Sequence, residues 1–156
     1  MNLVEQIKKD EGFRRFAYKC PAGKLTIGYG RNIDENGGKG ITRQEGWVLL
    51  SGDLADCESD LPNVIHAEAL QAMGQVRRNV LMGMRYNLGP AGFRSFQRMI
   101  AAVNRKQWSI AANEIIDSKA AGQNPARYYR FAEEMRLGVS DVQIRAATEE
   151  ITGDSG

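Results

Sequence analysis

Three side chains capable of chemistry fall within one short stretch of the sequence, residues 11–30. Glu11 carries a carboxyl group, Cys20 a thiol and Thr26 a hydroxyl; eight residues separate Glu11 from Cys20, and five separate Cys20 from Thr26. A carboxyl group can donate a proton to a departing oxygen. A threonine hydroxyl both donates and accepts hydrogen bonds, so it can orient a water molecule. Side chains of these types can therefore supply a proton and hold a water.

Two of these residues also have a simpler interpretation. Glu11 is followed by Gly12 and could be an exposed side chain in a surface turn, and Cys20 could be a small, half-buried residue of a hairpin. A thiol with an ordinary pKa of about 8.5 is mostly neutral at pH 7. Cys20 therefore supplies little negative charge unless its pKa is lowered.

The residues before Glu11 predict a helix over positions 2–11. Asn2 can cap the first turn and Glu5 follows three residues later, which is the pattern of a capping box. Leu3 and Ile7 share a face with Glu11 at a spacing of four. This pattern places the carboxyl group at the end of an apolar stripe, where desolvation would favour its protonated form.

The residues around Cys20 predict a tight β-hairpin. Two runs, residues 16–20 and 25–29, flank a turn at 21–24 in which Pro and Gly fall within four positions. Residues 31–34 are a candidate third strand. Residues 35–40 form a glycine-rich loop without the pattern of a phosphate-binding loop.

The sequence predicts neither a cofactor nor a bound metal. Gly28 and Gly30 lack the rest of a dinucleotide-binding fingerprint, so we interpret them as positions that need backbone freedom or close approach. The two cysteines, Cys20 and Cys57, form no CxxC pair, and His66 is the only histidine. A structural zinc site needs four such ligands and is therefore not expected.

A second capping box, Thr42 with Glu45, predicts the start of a long helix that could join two lobes. The apolar stripe of this helix places Cys57 in the core, and Pro62 is predicted to end the helix. A disulfide between Cys57 and Cys20 is the alternative, which synthesis in the cytoplasm would disfavour. The stripe consists of Trp47, Leu50, Leu54, Cys57 and Leu61.

Further apolar stripes predict helices through the rest of the chain. Gly89 and the proline after it interrupt the pattern, Asn124 is a predicted N-cap, Gly138 a predicted C-cap, and Ser140 caps a last helix that runs to about residue 151. The stripes are Leu70, Met73, Val76, Val80 and Leu81; Phe93, Phe96, Ile100 and Val103; Trp108, Ala111, Ile115 and Ile116; and Tyr129, Ala132 and Met135.

The spacing of the three reactive side chains resembles that of the phage-type lysozymes, the T4-like endolysins or muramidases. Their motif is Glu, eight residues, Asp or Cys, five residues, Thr, then Ile-Gly-x-Gly, and it stands here as Glu11, Cys20, Thr26 and residues 27–30. The first residues, Met1, Asn2 and Leu3, resemble the start of the family's N-terminal helix. The segments 85–89 (RYNLG), 91–93 (AGF) and 124–127 (NPAR) also resemble family segments and follow in the same order. The resemblance covers residues 1 to about 138.

The resemblance implies an α+β fold, mainly helical and two-lobed, with a small β-hairpin sheet. It implies a single domain over residues 1–156, with a small lobe at about 12–60 plus helix 2–11 and a helical lobe at about 63–152. A cleft with Glu11 at its floor is expected between the lobes, because binding pockets favour such interfaces.

The resemblance also implies a reaction and roles for the residues. The β-1,4 bond between N-acetylmuramic acid and N-acetylglucosamine in peptidoglycan would be hydrolysed with inversion. Glu11 would be the proton donor, Cys20 the general base or electrostatic stabiliser, and Thr26 the holder of the attacking water. Arg127 matches the family arginine that reaches toward the catalytic Glu, and would support its orientation.

Two positions depart from the pattern that the resemblance sets. Cys20 replaces an aspartate that would be ionised at pH 7, and Arg31 stands where the T4-like pattern has His. Any ion pair formed by the residue at position 31 must therefore differ from the one that a histidine forms in the T4-like chains.

Charge and hydropathy indicate partners and location. Residues 70–136 carry 11 Lys and Arg against 4 Asp and Glu, so this part could meet an anionic polymer or be a set of solvated helix faces. No run approaches a membrane span of about 20 residues, and the N-terminus lacks the apolar core of a signal peptide. We expect a monomer made in the host cytoplasm that reaches the cell wall after another factor, such as a holin, opens the membrane.

Three other functions are alternatives for the same residues. The first is another enzyme, a lytic transglycosylase or a chitinase-like glycosidase; a transglycosylase needs no water-holding residue, so Thr26 argues against it. A non-catalytic wall-binding module could have kept the fold, with Cys20 reporting lost activity. A nucleic-acid binder would use the positive segment, but no aromatic and basic interleaving supports it.

Overall fold

The computed structural model describes residues 1–153. Three strands form one antiparallel sheet in the order β1-β2-β3, and this sheet with its helices confirms the predicted α+β, mainly helical fold. In chain order the elements are α1 (Leu3–Glu11), β1 (Arg14–Lys19), β2 (Leu25–Gly28), β3 (Arg31–Asn32), α2 (Arg43–Val64), α3 (Ala67–Ala72), α4 (Gly74–Arg94), α5 (Gln97–Asn104), α6 (Trp108–Ile116), α7 (Lys119–Gln123), α8 (Pro125–Leu137) and α9 (Asp141–Gly153).

Backbone contacts divide the chain into two compact units, Met1–Leu50 and Ser51–Gly156. The point of division falls inside α2. The lobe limits given by the resemblance, about 12–60 and about 63–152, stay a prediction.

The first unit begins with α1, whose start is fixed by the predicted capping box. Asn2 Oδ1 accepts a hydrogen bond from the Glu5 N–H at 3.0 Å, and Glu5 Oε2 accepts one from the Asn2 N–H at 3.3 Å. No residue of α1 is buried, and Leu3 and Ile7 are both exposed. The apolar stripe therefore does not enclose Glu11, and the expected desolvation of this carboxyl group is not met in the structure.

The sheet holds β2 between two partners. Thr26 of β2 pairs with Tyr18 of β1 and with Asn32 of β3. Strand β1 begins two residues earlier than predicted. Strand β3 ends earlier than predicted because the Asp34 carboxylate accepts hydrogen bonds from the N–H groups of Leu25 and Asn36, at 3.1 and 2.9 Å, and turns the chain.

The second unit is built around an apolar core contributed by α2 to α8. Cys57 is 2% exposed, which confirms its predicted place in the core. Burial raises the pKa of its thiol, and both cysteines are free. The largest buried side chains are Tyr128, Phe93, Leu61, Ile65, Met73, Leu81, Met84, Met99, Ile115, Met135, Val80 and Val103.

Three predictions about the helices are wrong. Tyr129 is 53% exposed and Tyr128 is buried instead, because α8 turns its 128, 131–132 and 135 positions inward. Trp47 is exposed, although it shares a sequence stripe with core residues. Pro62 lies inside α2, which continues to Val64. A proline this close to a helix end removes only one hydrogen bond of the last turn.

None of the helices among residues 1–153 combines the length and the apolar character that a membrane span requires.

A carboxylate on α2 binds two arginines of α4. Asp60 Oδ2 accepts from Arg85 Nε at 2.7 Å, and Asp60 Oδ1 accepts from an Arg94 guanidinium nitrogen at 2.7 Å. The Asp60 side chain is only 16% exposed. Hydrogen bonds from Arg94 and then Arg85 hold the pKa of Asp60 well below its ordinary range.

We expect the Asp60 contacts to make the folded state sensitive to acid. A carboxyl group whose pKa is depressed by folding stabilises the protein above its unfolded pKa of about 3.9, and this stabilisation is lost as the pH falls below that value. Replacing Asp60 by Asn should lower the free energy of unfolding by about 3 kcal/mol at pH 6. The difference from wild type should shrink as the pH falls, measured by urea denaturation at a series of pH values.

Glu58→Gln is the matched control for this measurement. Glu58 also pairs with an arginine of α4, Arg78, but at 3.5 Å and with 61% of its side chain exposed. An exposed pair contributes little, so this variant should match wild type at every pH. An Asp60→Asn difference that is constant across the series would contradict the assignment.

Candidate active site

Cys20 lies in the turn between β1 and β2. Its N–H donates to the Lys24 carbonyl at 2.9 Å, and its own carbonyl accepts from the Gly23 N–H at 2.8 Å. Gly23 has a φ of 77°, which favours glycine at this point of the turn. The turn therefore fixes the backbone on both sides of a half-buried thiol.

Several donors face the Cys20 sulfur and lower the pKa of its thiol. The backbone N–H of Lys24 contributes most, followed by the N–H of Ala22 and the hydroxyl of Thr26, while partial burial acts in the opposite direction. Hydrogen bonds to a charged form favour that form. The turn therefore favours the charged form of this thiol.

Thr26 lies at the centre of the sheet and is 4% exposed. Its hydroxyl donates to the Lys24 carbonyl at 3.0 Å, and the same carbonyl accepts the Cys20 N–H at 2.9 Å. The structure thus brings Cys20 and Thr26 together. The predicted role of Thr26 in holding a water stays a prediction.

Glu11, the last residue of α1, packs directly over Gly30. A Cβ atom added to Gly30 would lie 2.5 Å from Glu11 Oε2, which is far inside contact distance. Gly30 also has a φ of 73°, and Gly28 one of 68°. Both glycines therefore need their backbone freedom, as predicted, and Gly30 needs the close approach as well. Glu11 itself is exposed.

Arg31 forms an ion pair inside the first unit. Its NH1 group lies 2.6 Å from Glu45 Oε1, and its Nε donates to the Gly40 carbonyl at 2.9 Å. Glu45 also accepts the Thr42 N–H at 2.7 Å, as the predicted capping box requires. The capping box was visible in the sequence, whereas no sequence signal pointed from Glu45 to Arg31.

Arg127 belongs to the second unit, whereas Glu11, Cys20 and Thr26 belong to the first. It stands in the first turn of α8, where its N–H donates to the Asn124 side chain at 3.4 Å, as the predicted N-cap requires. Its predicted role in orienting Glu11 stays a prediction. Among residues 1–153 no group of three or more His, Cys, Asp or Glu side chains could hold a metal ion.

Comparison with known proteins relates this geometry to a family and to individual chains. The family model for phage lysozyme matches residues 8–128. An endolysin of Acyrthosiphon pisum secondary endosymbiont phage 1 is 26% identical over 121 residues, which cover 78% of this chain and 80% of the endolysin. An endolysin of Salmonella phage P22 is 27% identical over 129 residues, covering 80% and 85%.

A third relative is a much longer protein. The pre-baseplate central spike protein Gp5 of Enterobacteria phage T4 is 28% identical over an alignment of 156 positions, which covers 83% of this chain. The match spans only 27% of the spike protein.

The packing of Glu11 on Gly30 predicts that Gly30→Ala will displace the carboxyl group. Gly28→Ala is the matched control, because Gly28 has a similar positive φ and nothing within 4 Å of an added Cβ. Both variants should lose about 1 kcal/mol of stability from backbone strain. Only Gly30→Ala should also lose cell-wall clearing activity, by on the order of 100-fold. Equal activity losses in the two variants would show that strain alone matters.

Proposed function

The chain belongs to the phage lysozyme family, and we propose that it hydrolyses the β-1,4 bond between N-acetylmuramic acid and N-acetylglucosamine in peptidoglycan. Membership of this family makes the protein a lysozyme-type enzyme, and peptidoglycan is its class of substrate. One observation supports the finer proposal: the Thr26 hydroxyl and the Cys20 N–H donate to the same carbonyl, that of Lys24, at 3.0 and 2.9 Å, which holds the two residues side by side. A base beside a group that can orient water favours hydrolysis.

In the proposed mechanism Glu11 is the general acid. Its proton passes to the glycosidic oxygen as the bond from that oxygen to the anomeric carbon breaks, and charge develops on the sugar ring. The exposed position of Glu11 leaves its carboxyl group accessible to a polymer. Its packing against Gly30 limits where that carboxyl group can lie.

Cys20 and Thr26 act on the water. The Thr26 hydroxyl orients a water, and the Cys20 thiolate takes its proton as the oxygen attacks the anomeric carbon. Attack from the side opposite the leaving group inverts the configuration. Donors in the turn stabilise the thiolate before substrate arrives, so little reorganisation is required at the moment of reaction. Arg127, in this proposal, orients the Glu11 carboxyl group.

The biological role we propose is lysis of the host. Two of the relatives bear the name endolysin, which supports a role in lysis. In this proposal the chain accumulates as a monomer in the host cytoplasm. It would reach the wall once a partner such as a holin opens the membrane.

The first test is the Glu11→Gln variant in a turbidity assay on permeabilised Gram-negative cells. Loss of the proton donor should reduce clearing by on the order of 10²–10⁴-fold with the fold intact. Asp10→Asn, which changes the neighbouring acid of α1, should clear like wild type. Near wild-type clearing by Glu11→Gln would remove Glu11 from the mechanism.

The sugar ends released in this assay separate hydrolysis from the alternatives. Hydrated reducing ends support a hydrolase, whereas anhydro ends identify a lytic transglycosylase. A wall-binding module would release neither.

The second test concerns the charge on Cys20, and is made in a Cys57→Ala background so that only one thiol remains. Cys20→Asp should keep or raise the rate at neutral pH, and Cys20→Ala should lose most of it. The rate should rise with pH as the thiol ionises, with a midpoint below the ordinary thiol value of about 8.5 because the pKa of Cys20 is lowered.

The pH profile of Cys20→Asp identifies the group that is responsible. The rising limb should move down toward about pH 4, the ordinary range of a carboxyl group. If Cys20→Ala keeps the wild-type rate and profile, the thiol is only structural.

A further inference from the structure

Strand β1 lies at an edge of the sheet, since β2 is its one strand partner within the described part of the chain. Arg14 pairs with Gly28, and Tyr18 pairs with Thr26, so β1 advances four residues while β2 advances two. The extra residues form a bulge, and Phe16 lies in the middle of it with 76% of its surface exposed. A bulge at a sheet edge redirects a side chain, and this bulge presents an aromatic ring to solvent.

Two arginines lie against the aromatic rings of this strand. The Arg15 guanidinium group is 5.5 Å from the centre of the Phe16 ring, and the Arg14 guanidinium group is 5.0 Å from the centre of the Tyr18 ring. Both arginines are exposed. Neither forms an ion pair with any residue that the structure describes. The strand therefore presents aromatic rings together with positive charges that have no carboxylate partner there.

A second aromatic group with a cation lies where α1 meets the sheet. The rings of Phe13 and Tyr29 are 5.4 Å apart, and the Lys8 ammonium group is 5.7 Å from the centre of the Tyr29 ring. Phe13 is 64% exposed and Tyr29 43% exposed. Phe13 directly precedes Arg14, so the two groups adjoin. The aromatic–basic face is defined by Lys8, Phe13, Arg14, Arg15, Phe16 and Tyr29.

The charge of this face and the apolar area beside it indicate the kind of partner. Residues 8–19 carry five Lys and Arg against two Asp and Glu. Leu3 and Val4 of α1 are 74% and 61% exposed. Basic side chains attract anionic lipid headgroups, while apolar and aromatic side chains enter the boundary between the headgroups and the acyl chains. A single nucleic-acid strand is instead bound along a basic groove, whereas β1 is a bulged sheet edge beside aliphatic side chains.

We propose that the aromatic–basic face binds the surface of bilayers that contain anionic phospholipids. Arg14, Arg15 and Lys8 contact the phosphate groups, and the rings of Phe13 and Phe16 enter the boundary between headgroups and acyl chains. The association is peripheral. It uses none of the side chains that the hydrolysis mechanism requires, so it stands or falls separately from that mechanism.

The test is sedimentation of the full chain with lipid vesicles. Wild type should bind vesicles of phosphatidylcholine with phosphatidylglycerol, and should not bind vesicles of phosphatidylcholine alone. Binding should weaken as the salt concentration rises, because salt screens the attraction between exposed charges. Replacing Arg14 and Arg15 together by Gln should raise the apparent dissociation constant about 30-fold. Phe16→Ser should raise it about tenfold, because the ring no longer leaves water.

Matched variants distinguish this face from net charge and from aromatic content. Replacing Arg105 and Lys106 together by Gln removes the same charge from exposed positions outside the face, and should leave binding close to that of wild type. Tyr129→Ser removes an aromatic ring that is 53% exposed outside the face, and should have equally little effect.

A conservative variant and a fold check complete the set. Phe16→Trp should bind as tightly as wild type, because Trp favours the membrane interface, and its added emission should shift to shorter wavelength on the anionic vesicles. Circular dichroism checks that each variant is folded. Phe16→Ser should also clear permeabilised cells at the wild-type rate.

The outcomes are separate from those of the hydrolase proposal. If wild type ignores anionic vesicles, if folded Phe16→Ser and the Arg14 and Arg15 variant bind them like wild type, or if the control variants lose as much, the membrane proposal is wrong. If a thymidine oligonucleotide binds and the vesicles do not, the face serves nucleic acid instead. If wild type binds the vesicles as described but does not clear cells, the membrane proposal stands and the hydrolase proposal fails.

Discussion

The candidate site depends on the pairing of β2 with a strand on each side. This pairing puts Thr26 at the centre of the sheet and closes the turn that carries Cys20. Thr26 is the only buried residue among positions 1–50. Backbone hydrogen bonds, turns and caps therefore hold this unit together, because little apolar surface is removed from water. The second unit has the opposite balance, with a continuous apolar core.

The local structure around the site could be predicted from the sequence because its signals are local. Both capping boxes involve residues three positions apart, the hairpin follows from Pro and Gly within one turn, and Gly28 and Gly30 have the positive φ values that glycine permits. The α+β class follows from a short hairpin region beside long helical stripes. Each of these features is fixed by residues close together in the chain.

Features that depend on distant partners could not be predicted. Asp60 meets Arg85 and Arg94 across 25 and 34 residues, and Arg31 meets Glu45 across 14. Charged residues are common on helix surfaces, and the sequence does not say which of them pair. The choice of Tyr128 over Tyr129 for the core has a similar cause. Rotating α8 about its axis by one residue position would exchange the two tyrosines. The tertiary contacts of the helix fix that rotation.

The turn that carries Cys20 favours the charged form of its thiol. The backbone N–H groups of Lys24 and Ala22, in the tight turn, lower the pKa of the Cys20 thiol. Such donors are part of the main chain, so their placement follows from the turn itself. The charge at this position is thus governed by backbone conformation.

The Thr26 hydroxyl has a single proton, which it donates to the Lys24 carbonyl at 3.0 Å, and this hydroxyl also lowers the pKa of the Cys20 thiol. When the thiol ionises, rotation about one bond can turn that proton from oxygen to sulfur. The carbonyl is not left without a donor, because it keeps the Cys20 N–H at 2.9 Å. A charge can therefore appear in the turn between β1 and β2 at the cost of one hydroxyl rotation, and the Lys24 carbonyl stays hydrogen-bonded.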